Sequence, residues 1–229
     1  MKMTNRILIG FLAVMIFLVS VLGAVSSSIF EQDFYTKSQI KHNAGQRMNL
    51  NQQQVTDATT VALLYTKGVI ADLVYETQVD GETVYLYSSQ DKEHMIDVKD
   101  LYYGMYYVLV ASVVAMFITA IVLVFRRKQF SIFGMTYLIN QVSLYSIIAV
   151  GFLAMFAWIN FEQFWTFFHK VFFRNDLWLM NYNTDLLVNI FPEGLFMDLV
   201  FKIILRFTIM FGLINLTAFF YRAYSIRVS

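Results

Sequence analysis

Long stretches without a charged residue constrain the fold of this chain more than any other feature. Three of them cover residues 7–28, 101–125 and 129–161. Each is long enough to cross a hydrocarbon core of about 30 Å, which takes about 20 helical residues. A fourth apolar stretch, 207–221, is short by itself but extends back to about residue 198. The sequence therefore predicts a mainly α-helical membrane protein with four transmembrane helices.

The composition excludes an ordinary soluble domain. Hydrophobic residues make up 58% of the chain and charged residues 14%, against about 45–50% and about 25% in soluble domains. The chain has no Cys, which excludes disulfides, thiolate metal sites and cysteine nucleophiles. Motifs for serine hydrolases, zinc proteases and phosphate binding are also missing from the sequence. We expect no metal site. We also expect no nucleic-acid partner, because the sequence has no stripe of basic residues.

The distribution of charge predicts the orientation in the membrane. Residues 1–6, the loop 126–128 and the tail from 222 hold seven Lys or Arg and no acid. All sixteen Asp and Glu lie within 31–100 or 162–198. Because positively charged loops stay in the cytoplasm, both termini are expected there and the two long loops outside.

The charge-free stretches and the distribution of charge together divide the chain into five segments. The first apolar run could instead be a signal peptide, but it exceeds the usual h-region of about 7–15 residues, which favours a membrane anchor. The predicted layout is an N-terminus with transmembrane helix 1 at 1–28, an extracytoplasmic α+β domain at 29–100, transmembrane helices 2 and 3 at 101–160, an aromatic-rich interfacial outer loop at 161–197, and transmembrane helix 4 with a cytoplasmic tail at 198–229.

Within 29–100, helical spacing of apolar residues predicts a helix over 49–67 that Gly68 would end. Val, Tyr and Thr flank an Asp80-Gly81 pair, which predicts a β-hairpin with strands at 69–79 and 83–87. Either serine after the second strand, 88 or 89, is a suitable N-cap for a helix that continues into the second span.

The segment 161–198 alternates aromatic with polar residues. Such a sequence suits the headgroup zone, where aromatic rings keep one edge in water. Thr184-Asp185 could cap a short helix that ends before Pro192. We therefore predict interfacial helices on the outer leaflet.

Three histidines are the natural titrating groups near neutral pH. His94 precedes Asp97 by three residues, so that a carboxylate could orient its ring on one helix face; a solvated helix start is the simpler interpretation. His169 lies among phenylalanines, where it is either a proton shuttle or an interfacial residue with a wet edge. His42 lies in a polar stretch and is expected at the surface.

Asp198, Lys202 and Arg206 follow each other at intervals of four on the fourth apolar helix. Because charges in a membrane are costly, they are expected to face a partner. Lys202 could pair with Asp198. Arg206 could bind a lipid carbonyl or make a structural bond, with Asn140, Gln141 and Asn160 as the possible partners.

Two segments resemble the motifs of one bacterial membrane-protein family. The run from His169 to Trp178, followed by Asn181, Thr184-Asp185-Leu186-Leu187 and Phe191-Pro192-Glu193, resembles the signature of the lipoprotein intramolecular transacylase (Lit) family. The segment 94–99 before the second span resembles the family's other motif. Tyr182 departs from the pattern, since the family has Pro there, and Gly194 is a smaller departure. Size, four spans and both loop positions extend the resemblance to essentially the whole chain.

The resemblance implies an activity. Family members move the sn-2 acyl chain of a diacylglyceryl-modified lipoprotein from its glyceryl ester to the free amine of its N-terminal Cys, which gives an N-acyl lyso-form lipoprotein. It implies catalysis by His94 and His169, no cofactor, and diacylglyceryl lipoproteins and membrane lipid as partners. The implied location is the bacterial cytoplasmic membrane, with the site facing outward.

This reaction needs a base for the amine and an acid for the leaving alkoxide, and two histidines can supply both. The other candidate residues have less defined roles. Candidates for orienting or oxyanion-binding groups are Asp97, Arg174, Asn175, Asp176 and Arg206, and candidates for substrate positioning are Trp178, Asn181, Asp185 and Glu193. A non-catalytic membrane scaffold or lipid-binding accessory protein, and a lipid-ester hydrolase, remain the alternatives.

Overall fold

The structure is a computed structural model that describes residues 2–228, with side chains described through residue 217 and at 219 and 220. The side chains of the basic tail from Arg222, used above for orientation, lie outside the described part. Its helices are α1 Met3–Ser28, α2 Gln32–Lys41, α3 Gln52–Thr66, α4 Ser89–Phe125, α5 Ile132–Ile159, α6 Phe161–Phe172, α7 Leu186–Ile190 and α8 Glu193–Val228, and its strands are β1 Glu76–Val79 and β2 Glu82–Tyr85.

Four of the described helices, α1, α4, α5 and α8, are long and apolar enough to cross a membrane. This confirms the predicted four long apolar helices. In α4 the apolar part begins after Asp100, and the preceding turns are polar. The fourth helix begins at Glu193, five residues before the predicted start, because Glu193 directly follows Pro192.

The chain divides into two structural units. One, the membrane unit, contains Met105–Phe156, the segment from Phe201 onward and the segment before Ser28. The other, the globular unit, contains Ser28–Gly104 and Ala157–Val200.

Aromatic packing joins α1 to α8 in the membrane unit. Phe17 contacts Phe207 and Phe211 edge to face, with ring centroids 5.8 and 6.0 Å apart. The Arg206 guanidinium donates a hydrogen bond to the backbone carbonyl of Ser27. Arg206 thus makes a structural bond to a partner that the sequence did not suggest.

The core of the globular unit is formed by α3, the hairpin, the start of α4 and α7. Its fully buried members include Val55 and Ala58 of α3 and Leu186 and Ile190 of α7, none of which is exposed. Segments that lie far apart in the sequence therefore share a single core.

Helix α3 confirms both the predicted helix and its predicted end at Gly68. Asn51 caps it through a capping box with Gln54, and Gly68 follows the last turn with a positive φ of 74°. The helix begins three residues later than predicted, because Asn49 takes a left-handed φ of 53° after a 3₁₀ turn, Gln46–Met48.

The hairpin turns at Asp80 and Gly81, whose φ values of 53° and 87° are both positive, as in a type I′ turn. Its antiparallel register pairs Val79 with Glu82 and Glu76 with Tyr85. The predicted strand 69–79 is wrong over 69–75. That segment bends instead, because Leu73 is buried in the core at 4% exposure.

Helix α2, which the sequence did not indicate, carries the partners of Asp198. The carboxylate accepts hydrogen bonds from Ser38 Oγ at 2.8 Å and Lys41 Nζ at 2.7 Å, and His42 Nε2 lies 3.0 Å from it. Ser38, Lys41 and His42 are partners of Asp198 that the sequence did not suggest. His42 is correspondingly part-buried, which corrects its predicted place at the surface.

Candidate active site

Two of the three histidines lie side by side in the globular unit. His94, on the second turn of α4, and His169, near the end of α6, have ring centroids 6.1 Å apart and ring planes inclined by 30°. Their exposed fractions are 7% and 6%. A single small site thus contains both histidines, although they come from distant parts of the chain.

Helix α6 presents His169 on its buried face. Asn160 caps the helix by accepting a hydrogen bond from Gln163 N at 3.0 Å. Phe161, Trp165 and His169 follow at intervals of four and therefore share one face. His169 Nδ1 lies 2.8 Å from the carbonyl oxygen of Trp165. Because a carbonyl only accepts, Nδ1 carries the proton and the other ring nitrogen, Nε2, is free to act as a base.

Aromatic rings surround the pair. Trp178 stacks on His169 with centroids 4.9 Å apart and planes inclined by 26°, and Trp165 meets the same ring edge-on at 4.7 Å. Phe173 contacts His94 at 5.1 Å. These rings exclude water from both imidazoles.

Burial sets the protonation of both histidines. It lowers the pKa of His94 from 6.5 to about 4, helped by the neighbouring His169, while Asp97 opposes the shift. Burial also lowers the pKa of His169, and the bond to the Trp165 carbonyl opposes it. Both rings are therefore neutral at pH 7. His94 Nδ1 is buried and has no hydrogen-bond partner among the described residues.

Asp97 contacts the loop after α6. Its Oδ2 accepts a hydrogen bond from Asn175 Nδ2 at 2.8 Å. The carbonyl of Asn175 in turn accepts one from Trp178 Nε1 at 3.0 Å. A chain of contacts thus runs from α4 through Asn175 to the ring that stacks on His169.

Asn181 and Asp185 form a turn. Asp185, only 3% exposed, accepts a hydrogen bond from Asn181 N at 2.7 Å and one from Thr184 Oγ1 at 3.3 Å. As predicted, the short helix α7 begins directly after Asp185 and ends before Pro192, but the Asp185 side chain makes no capping hydrogen bond to it, which corrects the predicted cap.

The remaining predicted residues lie elsewhere. Arg174 and Asp176 are exposed on the loop after α6, and Glu193 is exposed on the first turn of α8. Arg206 belongs to the membrane unit.

Sequence reasoning missed three residues of this region. Trp165 is the residue four before His169, a spacing that places its carbonyl beside the ring. Asp91 follows Ser88 at the spacing of a capping box, which is a readable signal. Gln90 donates hydrogen bonds to the carbonyls of Leu177 and Leu179 at 3.0 and 2.9 Å, and no sequence signal predicts those contacts.

Comparison with protein families identifies a match over most of the chain. Residues 10–196 match the family described as Lipoprotein intramolecular transacylase Lit. The chain belongs to this family. It is therefore an enzyme of the Lit transacylase class and an integral membrane protein. Comparison with curated proteins finds no significant match.

Solved structures share the Lit fold. The membrane integral lipoprotein intramolecular transacylase Lit from Bacillus cereus matches with a TM-score of 0.76 and 19% identity, over 99% of this chain and 99% of that one. A variant of the same protein in which a histidine is replaced by alanine matches with a TM-score of 0.73, also at 19% identity, over 99% of this chain and 96% of that one. At this identity the likeness shows the fold.

Proposed function

We propose that this Lit-family enzyme moves the sn-2 acyl chain of a diacylglyceryl-Cys lipoprotein to the amine of the same Cys, with His94 and His169 as the catalytic pair. The observation that carries the proposal is the buried juxtaposition of the two neutral rings, 6.1 Å apart. The product is an N-acyl lyso-form lipoprotein.

His169 acts as the base. Its Nδ1 is held by the Trp165 carbonyl, which leaves Nε2 unprotonated and directed away from that bond. The lowered pKa keeps the ring neutral at pH 7, so that Nε2 can take a proton from the amine as nitrogen attacks the ester carbonyl.

His94 returns the proton to the leaving oxygen. The new C–N bond forms, the C–O bond to glycerol breaks, and the proton lost by the amine moves from His169 through His94 to the alkoxide. A pKa of about 4 makes protonated His94 a strong acid that gives up its proton readily. One proton leaves the amine and one reaches the oxygen, so both rings end neutral.

The reaction needs no enzyme nucleophile, which suits a chain without Cys. Holding the amine against the ester can lower the barrier by as much as about 7–11 kcal/mol. Trp178, with Asn175 and Asp97 behind it, would position the glyceryl region, and the turn at Asn181 and Asp185 would support that loop. Arg174, Asp176 and Glu193 remain candidates for contact with the substrate.

The charge distribution supports an outward-facing site in the bacterial cytoplasmic membrane. Residues 29–100 and 161–197 would then lie outside, and both termini in the cytoplasm. The enzyme would meet diacylglyceryl lipoproteins at that surface.

The test is expression in a bacterium that makes diacylated lipoproteins and no lyso form. Mass spectra of a lipoprotein's N-terminal peptide are compared for wild type, His94→Gln, His169→Gln and, as a matched control, His42→Gln. We expect N-acyl-Cys with a monoacylglyceryl group for wild type and the control. We expect a loss of more than a hundredfold for the two site variants at equal expression.

An unchanged diacyl peptide with well-expressed wild type would contradict the transacylase reaction and favour a scaffold. Loss of one acyl chain with a free amine would indicate a hydrolase.

A further inference from the structure

Asp91 is a buried carboxylate that the reaction above does not use. It lies on the first turn of α4 and is fully inaccessible. Its Oδ2 accepts hydrogen bonds from Leu186 N at 2.8 Å and Ser88 N at 3.0 Å. Its Oδ1 accepts one from Leu187 N at 3.2 Å. One side chain of α4 thus holds the first two amides of α7.

These bonds need a carboxylate. Burial raises the pKa of Asp91, and the three amides lower it in opposition. If the group were protonated or replaced by an amide, a donor would face another donor. A buried N–H without an acceptor costs more than the original bond contributed. The contact between α4 and α7 therefore depends on this one side chain.

Asp91 lies one helical turn before His94. Residues three apart share a helix face and are separated by about 4.5 Å along the axis. Both side chains are buried on that face. Whatever fixes the first turn of α4 against its neighbours consequently fixes the position of the His94 ring.

The partners of Asp91 lie at the far end of the segment that begins at His169. After α6 the chain passes Asn175 and Trp178 before it reaches α7. Asp97 holds the near end of this loop through Asn175, and Asp91 holds the far end. The ring that stacks on His169 lies between these two attachments.

The two attachments differ in exposure. The bond from Asn175 to Asp97 is exposed, so water can replace it at little cost. The bonds from Leu186 and Leu187 to Asp91 are buried, and water cannot replace them. Asp91 is therefore the contact whose loss must move the backbone.

We propose that Asp91 is a positioning residue of the transacylase, which holds the α4 turn carrying His94 in register with the loop carrying Trp178 by binding the first two amides of α7. This inference rests on the proposed function. Asp91 touches neither histidine in a hydrogen bond and acts through the backbone. Its removal would shift His94 relative to His169 without removing a reactive group.

The test compares purified full-length variants in detergent with a diacylglyceryl lipopeptide as substrate. Asp91→Asn should lower kcat per folded molecule at least tenfold, because a shift of about 1 Å can cost a hundredfold. Its KM should rise by a smaller factor than its kcat falls, since Asp91 is fully buried and does not itself contact the substrate. The NMR signals of both histidine rings should also move.

Two matched variants control for stability and charge. Ser88→Ala removes the hydroxyl that accepts from Asp91 N at 3.0 Å and weakens the same helix start, but it keeps the bonds to α7. Glu93→Gln removes an exposed carboxylate on the same turn. Both should keep wild-type kcat per folded molecule and wild-type histidine signals, even if Ser88→Ala melts at a lower temperature.

If Asp91→Asn shows wild-type kcat, or loses only as much as Ser88→Ala, the proposal is overturned. Should Asp91→Asn not fold, Asp91→Glu decides: it keeps the charge and displaces the carboxylate, so wild-type kcat in it overturns the proposal and a tenfold loss supports it. Wild-type protein that forms no N-acyl product contradicts the proposed function instead. In that case the NMR signals of the histidine rings decide, measured in Asp91→Asn or, if only that variant folds, in Asp91→Glu. Unchanged signals overturn the positioning role, and moved signals support it.

Discussion

Lowering the pH should destabilise the folded protein through His94, and His94→Gln should remove that part of the effect. The unfolded chain binds a proton at this residue near pH 6.5 and the folded chain near pH 4. Between these values the unfolded state binds more protons, so the free energy of unfolding falls as the pH falls. A difference of 2.5 pKa units at 1.36 kcal/mol each corresponds to about 3 kcal/mol. This stability is fully present above pH 6.5 and lost by about pH 4.

The assay is reversible unfolding in detergent at several values between pH 4 and 7.5, for wild type and His94→Gln. Other titrating groups are common to both proteins and cancel in the difference. The wild type should lose about 3 kcal/mol relative to the variant over this range. Parallel pH curves would refute the claim that burial holds His94 neutral, and with it the assignment of His94 as a strong acid.

Two further predictions concern the packing of the first turn of α8 and the orientation of the protein in the membrane. In Gly194→Ala the new Cβ would lie 2.4 Å from the His42 ring, so that the ring must leave Asp198 and the protein should lose about 1–3 kcal/mol of stability, measured by thermal unfolding. Because the chain has no Cys, single cysteines report sidedness: in intact cells a membrane-impermeant maleimide should label Glu82→Cys and spare Lys128→Cys.

Both predictions have clear contrary outcomes. Gly104→Ala is the matched control for the first, since no heavy atom lies within 4 Å of its added Cβ; equal melting of the two variants would contradict the clash. Labelling of Lys128→Cys alone would reverse the proposed orientation.

The long helices could be predicted because their signal is local. A charge-free run of 20 or more residues has few alternatives to a membrane span, and capping residues such as Asn51 and Gly68 mark helix ends through their own conformations. Helix α2 could not be predicted in this way, since its sequence is polar and its buried residues include Ser38 and Gln39. Its position depends on partners such as Asp198, which lies far away in the sequence.

Contacts within the candidate site could also be predicted only where they are local in the sequence. Spacing placed Asp97 on the face of His94, and the structure does bring it near enough to favour the charged ring. Spacing alone cannot show that Asn175 is also within reach, and the carboxylate binds that amide. The role of Asp91 could likewise not be predicted, because its partners are backbone amides of α7. Nearly every residue type has such an amide, so the sequence does not mark these two as partners.

The geometry of the pair also limits how many protons it can hold. Two unit charges 6.1 Å apart repel by about 3 kcal/mol at an effective dielectric constant of about 20. Burial adds a further cost to each charged ring. His94 and His169 are neutral at rest at pH 7 and can take up one proton between them during the reaction, but not two. Intramolecular acyl transfer moves one proton from nitrogen to oxygen, so a pair that accepts and releases a single proton meets the whole requirement of the reaction.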